Sequence, residues 1–306
     1  MKIIKFYEQG WNFNQLLVQW NLGNTCNYSC EYCPPYLHDG DRPWPDINKI
    51  KEFLIRLKQE NPDKNINVEF LGGEVTLWTK FVELMKFCKE HNLKSLILSN
   101  GSRTARYWKE LAPYLDKVIL TYHPHTTKTS HYEKIIKICV DNNVETISHL
   151  SLVDSMFDEI TDYQKLLTEK FPGIIVDNVM MMDKLRQKQF NGYFYNYTEQ
   201  QIQFVSRPVS NNDYGYIAEY DNGDVIKYSL NQVKSESINL FKGFVCDPGM
   251  SVIHIDFAGN ASTSLCGIKP RVNIYTEELD KLFLDTICTL DRCHNPSDIR
   301  VYKTNE

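Results

Sequence analysis

The chain has 306 residues, 42% of them hydrophobic, enough to bury a full core and long enough for one large domain plus a smaller one. A net charge of -5 and the lack of any basic block exclude an obvious nucleic-acid partner. The start, Met1-Lys2-Ile3-Ile4-Lys5, turns polar within a few positions, and no later stretch is long and apolar enough to span a bilayer, so the chain reads as soluble and cytoplasmic with no membrane partner. Of nine cysteines, seven cluster towards the two ends, a distribution that favours metal ligation in a reducing setting over disulfides.

Short apolar strands alternate with helical patterns. The first strand is Leu16 to Asn21, followed by a loop with three thiols, Cys26, Cys30 and Cys33. Prolines and a glycine in Pro34-Pro35-Tyr36-Leu37-His38-Asp39-Gly40 keep the chain in a loop. Asp46 then caps a helix with Ile47, Ile50, Phe53, Leu54 and Leu57 on one face. Strand Ile66 to Leu71 runs into Gly72-Gly73-Glu74, where glycine lets the backbone come close to a neighbour or ligand. Helix Lys80 to His91 with strand Ser95 to Ser99 follows, then helix Ala105 to Leu111 with strand Val118 to Tyr122. Helix Tyr132 to Asn142 precedes strand Glu145 to Leu152, and helix Asp162 to Phe171 precedes strand Ile174 to Met180. Strands this apolar, joined through helices, predict a parallel sheet covered by helices. In such folds chemistry sits at the carboxyl ends of strands, where Ser99, Asn100, His123, His125, Ser151, Asp177 and Asn178 all fall.

Past residue 185 the pattern changes to the methionine run at 180–182, a tyrosine-rich stretch (Tyr193, Tyr195, Tyr197) and Asp221-Asn222-Gly223-Asp224, a hairpin signal. The methionines read as core packing. Near the end, Cys246 opens an alternating run (Val252, Ile253, Ile255, Phe257), Gly259-Asn260 turns, and the return strand ends at Cys266. Cys288 and Cys293 follow a helical pattern over Thr276 to Leu284. A hairpin with a thiol at each end and a helix delivering two more bring four thiolates together. Cys88 and Cys139 sit among apolar neighbours on outer helices and read as inert packing.

Three thiols without a fourth nearby leave one iron of a cubane open to chelate an amine and a carboxylate, which four-ligand zinc and ferredoxin sites do not. At Cys26-Asn27-Tyr28-Ser29-Cys30-Glu31-Tyr32-Cys33 and at Val68-Glu69-Phe70-Leu71-Gly72-Gly73-Glu74 the chain resembles the radical S-adenosylmethionine (radical SAM) superfamily over roughly its first 180 residues. The resemblance implies a 4Fe-4S cluster on Cys26, Cys30 and Cys33 and bound S-adenosylmethionine. Its methionine moiety would be held by Gly72, Gly73 and Glu74, with the ammonium against Glu74, and its adenine edge by the Tyr32 backbone. Ser99, Asn100 and Ser151 are candidate ribose or carboxylate contacts, and His123, His125, Asp177 and Asn178 candidate substrate contacts.

The C-terminal thiols resemble a twitch domain, the shortened SPASM extension, with an auxiliary 4Fe-4S cluster on Cys246, Cys266, Cys288 and Cys293. The Gly259-to-Cys266 spacing is two residues longer than usual and the central SPASM cysteine block is missing. Zinc on the four thiols is the rival. The expected fold is α/β: a partial (β/α)6 TIM-like barrel over 1–185, a connecting, substrate-covering region with a β-hairpin over 186–240, and a small α+β twitch domain over 241–306. The expected activity is reductive cleavage of S-adenosylmethionine to a 5'-deoxyadenosyl radical and hydrogen abstraction from a substrate carbon. The auxiliary cluster relays an electron, and flavodoxin or ferredoxin serves as reductant. Peptide or protein oxidation is the first reading; dehydrogenation or rearrangement of a sugar, aminocyclitol or nucleotide is the alternative. A non-catalytic iron-sulfur or zinc binding protein is the reading from another class.

Overall fold

The computed structural model describes residues 1–12, 14–33, 35–181, 197–205, 215–246, 251–267, 271–279, 282 and 286–305. Six strands alternate with helices in the order expected: β2 (Gln15–Asn21), β3 (Asn65–Leu71), β4 (Lys94–Ser99), β5 (Lys117–Tyr122), β6 (Glu145–Leu152) and β7 (Ile175–Met180), preceded by β1 (Ile3–Glu8). The helices between them are α1 (Ile47–Glu60), α2 (Phe81–Glu90), α3 (Ala105–Leu111), α4 (Thr129–Asp141) and α5 (Phe157–Lys170). Strands β2 to β7 pair in sequence order, every pair parallel. Asp46 caps α1 by accepting from the Asn48 N–H at 2.9 Å. One face of the sheet meets the helices: Trp20 packs edge-on against Phe53 and Phe70 against Phe81. The other face carries the alternate residues of the strands, Gln19 and Glu69 among them.

Two helices begin earlier than expected. Helix α4 starts at Thr129 and α5 at Phe157, where Phe157, Ile160 and Thr161 are already buried. In α5 these buried contacts extend the helix across residues of middling helix propensity.

The C-terminal part is woven into the rest. Its strands are β8 (Tyr216–Tyr220), β9 (Val225–Tyr228), β10 (Val245–Cys246), β11 (Val252–Ile255), β12 (Asn260–Ser262), β13 (Val272–Asn273), β14 (Thr286–Ile287) and β15 (Lys303–Thr304). β8 and β9 form the hairpin that Asn222-Gly223 predicts. β11 lies parallel to β2, so β11, β12 and β13 lengthen the main sheet to nine strands. A second, six-stranded sheet runs β14-β10-β15-β1-β8-β9 and unites the two chain ends. The sheets meet through Arg300, whose guanidinium reaches Glu8 at 3.1 Å and Glu69 at 3.4 Å. Gln19 donates to the same Glu69 carboxylate. Short helices α6 (Glu199–Val205), α7 (Leu230–Ser235) and α8 (Pro296–Ile299) lie in this part of the chain.

The helix expected over Thr276 to Leu284 is not seen among its described residues. Thr276 to Leu279 turn instead, because Asn273 O accepts from the N–H groups of Thr276 and Glu277, and the Glu277 carboxylate folds back onto the Asn273 N–H at 2.9 Å. Tyr193 and Tyr195 lie outside the described residues.

Candidate active site and the C-terminal thiol cavity

The three-thiol loop leaves the carboxyl end of β2 and is fixed from below by the end of β3. Gly73 N–H donates to Gly23 O at 2.9 Å and Glu74 N–H to Thr25 O at 2.8 Å. A Cβ on Gly73 would stand 2.4 Å from Thr25 O, and one on Gly72 2.7 Å from Gly23 O. The close approach that requires both glycines is therefore to the chain's own backbone just ahead of Cys26. Asn24 ties down the far side of the loop: its Nδ2 donates to Asp39 and Asp41 at 2.6 Å each, and its Oδ1 accepts from the Arg42 N–H at 3.0 Å.

Glu74 is fully buried. Its Oε1 accepts from Thr76 N–H, the Thr76 hydroxyl and the Ser99 hydroxyl, at 3.1, 2.5 and 2.8 Å. Among the described residues its Oε2 accepts only from the Asn100 N–H, at 2.6 Å. Burial pushes this carboxyl above its ordinary range while the surrounding donors act against it. Oε1 is saturated, whereas Oε2 keeps a lone pair for a further cation or donor. Ser99 and Asn100, expected at the cofactor, thus also build the Glu74 cradle. Asn100 Nδ2 in addition reaches Asn27 Oδ1 at 3.1 Å and Cys26 Sγ at 3.8 Å.

His123, at the end of β5, closes the other side of the loop. Its Nδ1 is 2.7 Å from the Tyr32 hydroxyl and 3.4 Å from Cys30 Sγ, and its ring stacks on Tyr32 at 5.9 Å. Desolvation holds the imidazole down at about 4, so it is neutral near pH 7. The Tyr32 hydroxyl also hydrogen-bonds Ser151, on the last turn of β6. The structure thus brings Cys26, Cys30, Tyr32, Gly72, Gly73, Glu74, Ser99, Asn100, His123 and Ser151 together, with Cys33 N–H bonded to Cys30 O at 3.0 Å. His125 is exposed in the turn beyond His123. Asp177, exposed, pairs across the strands with His149, whereas Asn178 turns towards the helices and donates to Gln164 on α5 at 2.7 Å. Strand alternation therefore turns Asn178, expected as a substrate contact, towards the helix layer instead. Thr76 and Asn24 escaped the sequence reading, although a hydroxyl two residues past Gly-Gly-Glu is visible there.

Burial raises the Cys26 and Cys30 thiols above their ordinary values, so each holds its proton until a metal displaces it. Three half-buried thiols on one loop, with no fourth beside them, fit a cluster that leaves one iron open.

Cys246, Cys266, Cys288 and Cys293 line one cavity with Thr263, Ser264, Asp298 and Lys303. Cys246 ends β10 and faces Lys303 across the strands. Cys288 is pinned through backbone bonds to Phe244 and Gly243, both 2.8 Å, and Cys293 through bonds with Asn239 at 2.8 and 2.6 Å. Burial pushes the Cys293 thiol up to about 12, with Lys303 acting the other way. Thr263 Oγ1, Ser264 Oγ and Asp298 Oδ2 are buried here without a hydrogen-bond partner among the described residues. Among the described residues no three His, Cys, Asp or Glu side chains converge on one ion position. Single-zinc sites draw sulfurs to about 2.3 Å from the metal. Four thiols and two hydroxyls lining one cavity form a donor set that suits a sulfur-rich group.

Residues 20–155 match the model of the radical SAM superfamily, and the chain carries a radical SAM domain there. A curated relative, the S-adenosylmethionine-dependent nucleotide dehydratase of Fibrobacter sp. (strain UWH6), is 23% identical over 258 residues, 74% of this chain and 75% of that one. Among solved structures, native anSMEcpe with bound AdoMet shares the fold: a TM-score of 0.57 at 16% identity, over 88% of this chain and 80% of the other. Streptococcus suis SuiB aligns at a TM-score of 0.43 and 13% identity, over 89% of this chain and 66% of its own length. Among the described residues no helix is long and apolar enough to cross a membrane.

Proposed function

We propose that this chain is a radical SAM enzyme that removes hydrogen from an unactivated substrate carbon and withdraws an electron through a second, C-terminal cluster. The observation that carries the reading is the pairing of two thiol sites in one molecule: three thiols on the β2 loop beside the buried Glu74, and four around the cavity next to Lys303. Cys26, Cys30 and Cys33 would hold a 4Fe-4S cluster, which when bound would supply the electron for splitting S-adenosylmethionine into methionine and a hydrogen-abstracting radical. Glu74 Oε2 takes the methionine ammonium with its remaining lone pair, and the Thr76, Ser99 and Asn100 donors hold that carboxylate in place. The Tyr32, His123 and Ser151 group fixes the loop on the side of Cys30, and the neutral His123 keeps a second positive charge away from the site. The four C-terminal thiols would hold a cluster with no iron left open, and the chemistry it would supply is electron transfer and not substrate binding.

The partial barrel, the twitch-like character of residues 241–306 and the need for a flavodoxin or ferredoxin belong to the same reading. A second reading concerns the substrate. The nucleotide dehydratase relative favours a nucleotide or similar small molecule over a peptide. Dehydration neither adds nor removes electrons, so it would leave the four-thiol site without an electron to accept.

The test is anaerobic reconstitution with iron and sulfide, addition of S-adenosylmethionine and a low-potential reductant, and measurement of 5'-deoxyadenosine. Protein that binds S-adenosylmethionine and never forms 5'-deoxyadenosine is not an enzyme of this kind. With candidate nucleotides and peptides supplied, product mass separates the readings: loss of two hydrogens marks oxidation, loss of water marks dehydration.

A further inference from the structure

Lys303 is fully buried, and its ammonium stands in an unusual place. Its Nζ donates to three backbone carbonyls, those of Asp298, Ile299 and Val301, at 2.5, 3.2 and 2.7 Å. It lies over the Phe241 ring, 5.0 Å from the centroid. Carbonyls and an aromatic face solvate a cation but do not neutralise it, and a buried charge is retained where an opposite charge compensates it. Among the described residues no carboxylate reaches Nζ as a salt-bridge partner. What lies beside it is the thiol cavity: Lys303 lines that cavity, is the direct cross-strand neighbour of Cys246, and acts electrostatically on both Cys246 and Cys293.

We infer that Lys303 is the fixed counter-charge of the four-thiol site and raises the reduction potential of the cluster held there, making that cluster an electron acceptor. The inference rests on the iron-sulfur reading of that site. One electron leaves the substrate radical as a proton departs from the substrate, and that electron enters the oxidised cluster. The cluster returns to its starting state by passing the electron to a ferredoxin- or flavodoxin-type carrier. Each electron gained makes the thiolate-held cluster more negative, so a positive charge locked beside it stabilises the reduced form more than the oxidised one. Net charge and hydrogen bonding are the levers by which proteins set such potentials. With all three donor directions spent on carbonyls, Lys303 acts through charge and not through a bond to sulfur. Asp298, whose Oδ2 is buried unpaired in the same cavity, opposes it with the other sign.

A purely structural role is the competing account, since the ammonium also caps the carbonyls at the end of α8. That role predicts lost stability and an unmoved potential. The test is an EPR-monitored redox titration of the full chain in a Cys26/Cys30/Cys33→Ala background, which isolates the C-terminal cluster. Iron and zinc are quantified first. Zinc there overturns the iron-sulfur reading and this inference together, and the metal analysis tells that failure from one of the inference alone. With iron present, Lys303→Met is expected to lower the reduced-to-oxidised ratio at a fixed poise at least tenfold, a one-electron shift of about 59 mV. Asp298→Asn, which keeps the shape and the Leu265 N–H acceptor, is expected to shift it in the opposite direction. An unchanged midpoint in Lys303→Met overturns the inference. Should Lys303→Met yield no cluster, the Asp298→Asn titration decides, and an unmoved or lowered midpoint there overturns it.

Discussion

The two thiol sites are built in opposite ways. Cys26, Cys30 and Cys33 come from one eight-residue loop, so their grouping is local, and the rest of the molecule only frames it. Cys246, Cys266, Cys288 and Cys293 come from separate segments across two sheets, and their grouping exists only once β14, β10 and β15 have joined one sheet through the pairing of β15 with β1 at the far end of the chain. A local site is independent of the distant one, and the distant one depends on the whole fold. Radical generation and electron withdrawal should therefore come apart under mutation.

The sharpest break is at the thiols. Cys30→Ala is expected to bring 5'-deoxyadenosine formation to background while the circular dichroism stays that of the wild type, since the loop lies outside the core. Retained cleavage would sink the assignment of the first site. Cys266→Ala is expected to spare cleavage of S-adenosylmethionine and remove oxidised product. Loss of both activities with soluble protein would make the second site structural.

The frame of the local site comes next. Gly73→Ala places a Cβ 2.4 Å from the Thr25 carbonyl and is expected to cost about 3 kcal/mol in denaturant unfolding. Gly173→Ala, with nothing within 4 Å of its Cβ, is the control and is expected to shift stability by less than about 1 kcal/mol. Equal costs would show that Gly72-Gly73 do not hold the loop. Glu74→Gln turns an amide N–H towards donors already aimed at the carboxylate. It is expected to lose about 2 kcal/mol of stability together with affinity for S-adenosylmethionine by calorimetry, leaving the iron of the C-terminal site in place.

At neutral pH the smallest effect is the one at His149, a pH dependence away from both sites. Burial, aided by Lys117, holds His149 down at about 4. Its folded value is depressed, so the unfolded chain binds the proton more readily; the stabilisation is present above about 6.5 and is lost as pH falls towards 4. His149→Gln in the metal-free protein is expected to flatten the stability profile between those values by about 1.4 kcal/mol per pH unit. An unchanged slope would show that His149 takes no part.

The strands β2 to β7 were legible because each is a short apolar run closed by turn residues, and the local site because its residues are adjacent in sequence. The Glu74 cradle was half legible: Ser99 and Asn100 stand at a strand end, but their bonds to the carboxylate depend on how β3 and β4 align. β1 was missed because its partners, Lys303–Thr304 and Tyr216–Tyr220, lie more than two hundred residues away and carry no local signal. Lys303 and Asp298 were hidden because their places beside Cys246 and Leu265 depend on the pairing of β15 with β10 and carry no local signal. The hairpin after Cys246 was visible as alternation, yet its parallel seat on β2 could not be read from a pattern of period two.

The central claim, two clusters of different construction in one chain, is tested most directly by iron and sulfide analysis with Mössbauer spectra. The samples are the anaerobically reconstituted wild type and the Cys26/Cys30/Cys33→Ala variant. The account predicts about eight irons in the wild type and about four in the variant, all in four-iron cubanes. About four irons falling to none, with zinc on the C-terminal thiols, would contradict it.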